Sequence, residues 1–184
     1  MTCIVGWVEN GKVCMGADSA GISGWQKTLR KDPKVFRNGE FLIGFTSSFR
    51  MGQLIRYSFT PPVQDGEDSF EYLATKWVNA LRECLKQGGF ATLKDSVETG
   101  GTLLVGYRGR LFRVDDDYQV GESQYPFDAV GSGAQVALGA CYALFMAGMV
   151  PTPPLPLQAR VLKALQAASC FNIGVSDPFN VETL

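Results

Sequence analysis

Two apolar runs, residues 2–8 and 12–18, flank Glu9-Asn10-Gly11. Asn-Gly tolerates positive φ at both positions of a two-residue turn, so the pattern predicts a β-hairpin. The same arrangement recurs in "KVFRNGEFLIGFT" around Asn38-Gly39 and in "GTLLVGYRGRLFRV" around Arg108-Gly109. Three hairpins are expected. Between the second and third, the spacing of apolar residues becomes helical, predicting helices over residues 48–58 and 68–87. In the longer one, Asp68 and Glu71 have the spacing of a capping box, and Phe70, Leu73, Trp77, Leu81 and Leu85 share one face. Gly88-Gly89 ends it, and "FTPPVQDGE" before it reads as a loop. Asp115 to Asp117 form a short acidic connection. A strand near "PFDAVGSG" runs into "AQVALGACYALFMAG", a helix whose Ala and Gly content allows close packing. "PTPPLP" then reads as a rigid linker, "LQARVLKALQAASCF" as an amphipathic helix and "NIGVSDPFNVETL" as a closing pair of strands.

Stacking two antiparallel sheets and placing the helices outside them would bury most of these faces. The expected fold class is α+β, a four-layer αββα sandwich in one domain over residues 1–184, although periodicity alone equally allows a two-layer α+β domain. At this length a chain buries about 70% of its unfolded surface. The two helices before the third hairpin also carry apolar residues beyond one face, including Met51, Val78 and Leu85.

Composition narrows the function. The formal net charge is -1 and no Lys/Arg run exceeds two residues, so neither nucleic acid nor an anionic membrane is an expected partner. No stretch reaches the ~18 apolar residues of a membrane span. The first eight residues are apolar but lack a basic leader, which reads as a strand and not an export signal. Five cysteines without a C-x-x-C pair point to a reducing cytoplasm, and Cys3 reads as a buried strand residue. Histidine is absent. That excludes Ser-His-Asp and Cys-His machinery and histidine-bound metals, and no cofactor is expected.

A hydrolase without histidine needs another base. Thr2 directly follows Met1, and its small side chain makes Met1 a substrate for methionine aminopeptidase, with no propeptide required. A threonine freed in this way carries its own base, an α-amino group with a pKa near ~8. Asp18 follows Thr2 by sixteen residues in "MGADSAG", Lys34 follows Asp18 by another sixteen in "DPKVFRNGEFLIGF", and Gly-Ser-Gly with Ser132 opens a helix in "AVGSGAQVALGACYAL".

With these residues the chain resembles the proteasome β-subunits and, most closely in size, the bacterial HslV peptidase, which are N-terminal nucleophile hydrolases. The resemblance implies Thr2 as nucleophile, Lys34 as the cation that lowers the amine pKa, Asp18 as its partner and Ser132 as a hydrogen-bonding proton relay. It places the oxyanion donor and substrate contacts at the turn containing Thr46, Ser47 and Ser48. Two positions depart from the pattern: Ser48 stands where the family usually has glycine, and Asn172 where many relatives have an aspartate supporting Ser132. Lys31 reads as a solvated loop residue. Trp25 and Arg30 either line a substrate channel or pack their loop. The implied partners are peptide or unfolded-protein substrates, a homo-oligomeric ring and an ATPase unfoldase. The resemblance also implies that the helices carrying Met51, Val78 and Leu85 meet other subunits. A noncatalytic ring subunit or scaffold and a small-molecule amidase remain alternatives.

Overall fold

The computed structural model describes the backbone of residues 1–90, 92–94, 97–148 and 155–184. Strands β1 (Ile4–Glu9) and β2 (Lys12–Ala17) form the first hairpin. Asn10 and Gly11 both have positive φ, 51° and 72°, as the sequence predicts. A short exposed hairpin, β3 (Ala20–Ser23) and β4 (Gln26–Leu29), follows. It was not expected, because its strands lack an apolar face. The second expected hairpin is β5 (Val35–Asn38) and β6 (Phe41–Phe45).

Helix α1 (Phe49–Tyr57) is capped by Ser48, whose Oγ accepts from the Arg50 N–H. The long helix is continuous in three parts, α2 (Ser69–Tyr72), a π-helical turn at Leu73–Trp77 and α3 (Val78–Gln87). Asp68 caps it by accepting from the Phe70 N–H at 2.8 Å, and Gly88-Gly89 ends it. Uniform helical spacing does not reveal the π turn. Its wider turn lets two adjacent pairs, Tyr72 with Leu73 and Trp77 with Val78, face the core. Strands β7 (Thr92–Lys94) and β8 (Val97–Thr99) pair next, followed by the third expected hairpin, β9 (Leu103–Tyr107) and β10 (Arg110–Val114).

Strand β11 (Val120–Glu122) pairs with β10, and β12 (Phe127–Val130) leads into helix α4 (Ala134–Ala147). Residues 151–154 of the expected proline linker lie outside the described residues. Helix α5 (Leu157–Phe171) spans the predicted segment, but only one strand, β13 (Asn180–Thr183), follows it. Residues before it form a loop held by Asn172 and Ser19 instead of a second strand.

Four strands in the order β12-β1-β2-β13 make one sheet, and five in the order β11-β10-β9-β6-β5 make the other. Three apolar clusters mark the three contacts between layers. Ile4, Met15, Val35, Leu42 and Leu104 lie between the sheets. Phe41, Ile43 and Val105 meet Met51, Ile55, Trp77 and Leu81 of the first helical layer. Val5 and Cys14 meet Ala137, Cys141, Val161 and Leu165 of the second. This is the expected α+β, four-layer αββα arrangement. Met51, Val78 and Leu85 are buried in the helix-to-sheet core, which corrects their reading as subunit contacts. The large apolar residues left exposed are elsewhere, including Tyr57, Tyr142, Met146 and Phe171.

Candidate active site

The hairpin register explains the first sixteen-residue spacing. Ile4 pairs with Ala17, so the next pair outward is Cys3 with Asp18. The Asp18 N–H donates to the Cys3 carbonyl at 3.3 Å, and the Cys3 N–H donates to Asp18 Oδ1 at 2.9 Å. Asp18 therefore fixes the backbone one residue after Thr2. Its second oxygen accepts from the Ala20 N–H at 2.9 Å.

Lys34 immediately precedes β5, in the other sheet, and its carbonyl accepts from the Phe45 N–H. Its ammonium crosses between the sheets and donates to both Asp18 oxygens at 2.9 Å and to the Ala20 carbonyl at 2.7 Å. Both side chains are fully buried. Burial lowers the Lys34 pKa from its ordinary value, and the Asp18 charge opposes that shift. Three N–H groups meet three acceptor oxygens, and the carboxylate also holds two backbone donors. Such complete pairing is what makes a buried ion pair tolerable.

Thr2 is buried as well. Its N–H donates to Ser132 Oγ at 3.1 Å, and its carbonyl accepts from the Gly133 N–H at 3.2 Å and from Ser132 Oγ at 3.3 Å. The Thr2 hydroxyl donates to the Met1 carbonyl at 2.6 Å. Ser132 lies just before α4, and Asn172 just after α5 closes the arrangement. Asn172 Nδ2 donates to the Ser132 carbonyl at 2.7 Å, and its Oδ1 lies 3.5 Å from Ser132 Oγ. The single Ser132 hydroxyl proton can serve the Thr2 carbonyl or Asn172, but not both at once.

The structure thus forms two bonded groups, Asp18 with Lys34 and Thr2 with Ser132 and Asn172, joined through the Cys3 backbone next to Thr2. The turn between β6 and α1 is placed nearby by Gly131, where an added Cβ would lie 2.3 Å from the Thr2 carbonyl oxygen and 3.3 Å from Thr46 Cγ2. Gly131 also has φ of 100°, so both space and backbone demand glycine. Within the turn, Thr46 bonds the Thr102 carbonyl through its N–H and its hydroxyl, at 3.0 and 2.9 Å. Ser47 is left-handed, with φ of 65°, and the Ser48 N–H donates to the Thr46 carbonyl at 2.7 Å. The donor expected to face an oxyanion is turned inward onto its own chain.

Sequence reasoning missed Gly131, the Gly133 N–H and the Ala20 carbonyl. The first two belong to the same Gly-Ser-Gly that signalled Ser132. Backbone groups such as the third leave no signature in side-chain identity. Arg30 packs its loop, with its guanidinium 3.9 Å above the Phe49 ring and paired to Asp32. Trp25 is fully exposed near the tip of the β3–β4 hairpin. Cys3 is an inert thiol, pushed up to about 12 by burial and then by Asp18. Among the described residues, no group of three or more His, Cys, Asp or Glu could hold a metal ion. No described helix is long and apolar enough to cross a membrane.

The fold is that of the proteasome-subunit-like N-terminal nucleophile hydrolases. Among solved structures, BPH of Thiobacillus denitrificans in complex with epoxomicin matches over 100% of this chain and 98% of its own, with TM-score 0.81 and 23% identity. HslV of Trypanosoma brucei matches over 100% and 99%, with TM-score 0.67 and 17% identity. Anbu, described as an ancestral β-subunit, from Yersinia bercovieri matches over 99% and 81%, with TM-score 0.64 and 16% identity. No protein-family model matches the chain, and no curated protein is significantly similar in sequence.

Proposed function

We propose that the protein is a threonine-type peptidase whose nucleophile is Thr2 Oγ, activated when Met1 is hydrolysed from Thr2. The observation that carries this reading is the buried Lys34–Asp18 pair, whose carboxylate also holds the backbone adjoining Thr2. Once Met1 is gone, the Thr2 hydroxyl loses its bond to the Met1 carbonyl, and the nearest base is its own α-amine. Ser132 Oγ, already 3.1 Å from that nitrogen, orients it. The hydroxyl oxygen attacks the scissile carbonyl carbon while its proton passes to the amine. The C–N bond then breaks as that proton moves to the leaving nitrogen, and water hydrolyses the acyl ester on Thr2. Lys34, bonded to the carboxylate that holds the backbone next to Thr2, supplies the positive charge that favours the free-base form of the amine.

Substrates are peptides or unfolded proteins. The exposed Tyr57, Tyr142, Met146 and Phe171 support assembly into a homo-oligomeric ring, which an ATPase unfoldase would feed. Five free thiols support a reducing cytoplasmic setting.

One observation favours a second reading, a noncatalytic ring subunit. The Ser48 N–H is occupied by the Thr46 carbonyl, so an oxyanion meets it only after the Ser47–Ser48 peptide turns. The test is peptide hydrolysis by chain of verified mass lacking Met1, with Thr2→Ala and epoxomicin, the compound held by the Thiobacillus relative, as controls. Hydrolysis lost in the variant and blocked by the compound supports the peptidase. A ring without threonine-dependent hydrolysis supports the scaffold, and an active monomer that cleaves only small amides supports the amidase.

A further inference from the structure

Met1 does more than block the amine of Thr2. Its side chain lies against the loop after α5, where a Cβ added to Gly174 would come within 2.2 Å of Met1 Cβ and 2.8 Å of Met1 Sδ. From there it lines a cleft of about 310 Å³ with Ile22, Trp25 and Ile173. Trp25 and Ile173 are among the most exposed large apolar residues of the molecule, 104% and 84% accessible. One wall of the cleft is anchored to the site, because Asn172 Oδ1 accepts from the Gly174 N–H at 2.9 Å while Nδ2 holds the Ser132 carbonyl. None of Lys34, Thr46, Ser47 or Ser48 belongs to its lining.

The chemistry fixes which part of a substrate comes here. The amine that leaves must stand within hydrogen-bond reach of the group that protonates it, and in the proposed mechanism that group is Thr2 N. Met1 is bonded to this same atom, so the space Met1 fills adjoins the point where the leaving amine forms. The Thr46–Ser48 turn, which the family resemblance implies as the acyl-side contact, does not line this cleft. We propose that the Met1 cleft, widened when Met1 is removed, receives an apolar side chain from the segment on the C-terminal side of the scissile bond. Met1, as one wall, narrows the cleft and is a small replica of the side chain it accepts. Being half exposed, it stays within reach of an aminopeptidase. This inference rests on the reading of Thr2 as nucleophile.

The test uses Met1-free protein and three quenched peptides that differ only after the scissile bond, which is followed by Leu-Leu, Gly-Gly or Asp-Asp. The Leu-Leu peptide should have kcat/KM roughly tenfold above the Gly-Gly peptide, the discrimination expected of one apolar pocket, with Asp-Asp lowest. Ile173→Asp and Trp25→Ala, both at exposed positions, should collapse the Leu-Leu to Gly-Gly ratio toward one. A readout independent of turnover is available because Trp7 and Trp77 are buried and Trp25 is exposed. The dipeptide Leu-Leu should shield Trp25 fluorescence from acrylamide more strongly in Met1-free protein than in the Met1-bearing chain, whose cleft is narrower. Equal cleavage of the three peptides, with no shielding, overturns the subsite and leaves the peptidase reading standing. Shielding without any cleavage shows that the cleft takes apolar side chains but sinks the peptidase reading, and with it the assignment of the cleft to the C-terminal side of a scissile bond. If Trp25→Ala instead dissociates an oligomer in sedimentation and the cleavage ratio is unmoved, the cleft is a contact between copies and the proposal fails.

Discussion

Two acidic-basic pairs whose basic members, Arg30 and Lys34, lie four residues apart differ in almost every physical respect. Lys34 and Asp18 join the two sheets in the interior, with side chains 2% and 0% accessible, whereas Arg30 and Asp32 join one surface loop at 36% and 43%. The surface pair has the better-looking geometry, two charged hydrogen bonds at 2.9 and 2.7 Å, and its guanidinium also stacks on Phe49. Yet water screens it, and such pairs contribute about 0–1 kcal/mol. The interior pair is held by desolvated charge and by the backbone of Cys3 and Ala20, so removing one partner strands the other. Good pair geometry alone does not mark function. Burial, together with bonds to the backbone beside the proposed nucleophile, is what singles out the interior pair as a candidate.

The comparison is broken most severely at Lys34. Lys34→Met should cost about 3–5 kcal/mol of stability by leaving Asp18 buried and unpaired, measurable by urea unfolding. Adding Asp18→Asn should recover part of that stability and none of the peptide hydrolysis. Residual turnover in Lys34→Met should move its acid limb to higher pH. Losing the cation and leaving the carboxylate both raise the amine pKa, so more alkali is needed to free the base. Turnover recovering in the double variant would reduce the pair to a structural strut.

Ser132→Ala comes next and separates catalysis from folding. Ser132 is exposed, so its loss should leave unfolding nearly unchanged while kcat falls about 100-fold, as expected when the group that orients the base is removed. An equal fall in stability would make Ser132 chiefly a cap for the Thr2 carbonyl. The smallest effect belongs to Arg30→Ala. It should change stability by no more than about 1 kcal/mol, less at high salt, and leave kcat within a factor of two. A loss as large as that of Lys34→Met would erase the contrast between the two pairs.

Much of this was legible in the sequence, for reasons that differ from residue to residue. Asn10-Gly11 fixes the hairpin register, and that register alone carries Asp18 to the residue beside Thr2. The partnership of Lys34 was legible only through family spacing, because it reaches across from the other sheet and no local period encodes such a contact. Gly-Ser-Gly revealed Ser132, while the requirement for Gly131 came from the approach of the Thr2 carbonyl. The β3–β4 hairpin and the π turn were hidden because neither alters the alternation of apolar residues enough to be read. Met51, Val78 and Leu85 misled in the opposite way, since a wide apolar face on a single helix does not tell a thick core from a subunit contact. The inward turn of the Ser48 N–H is a backbone property that side-chain identity does not express.

The most direct measurement of the central claim couples intact mass to peptide hydrolysis on the same sample, for wild-type protein and for Thr2→Ala and Thr2→Ser. The account predicts that hydrolysis tracks the fraction of chain lacking Met1, disappears in Thr2→Ala with unfolding unchanged, and persists weakly in Thr2→Ser. Undiminished hydrolysis by chain that retains Met1, or by Thr2→Ala, would contradict it.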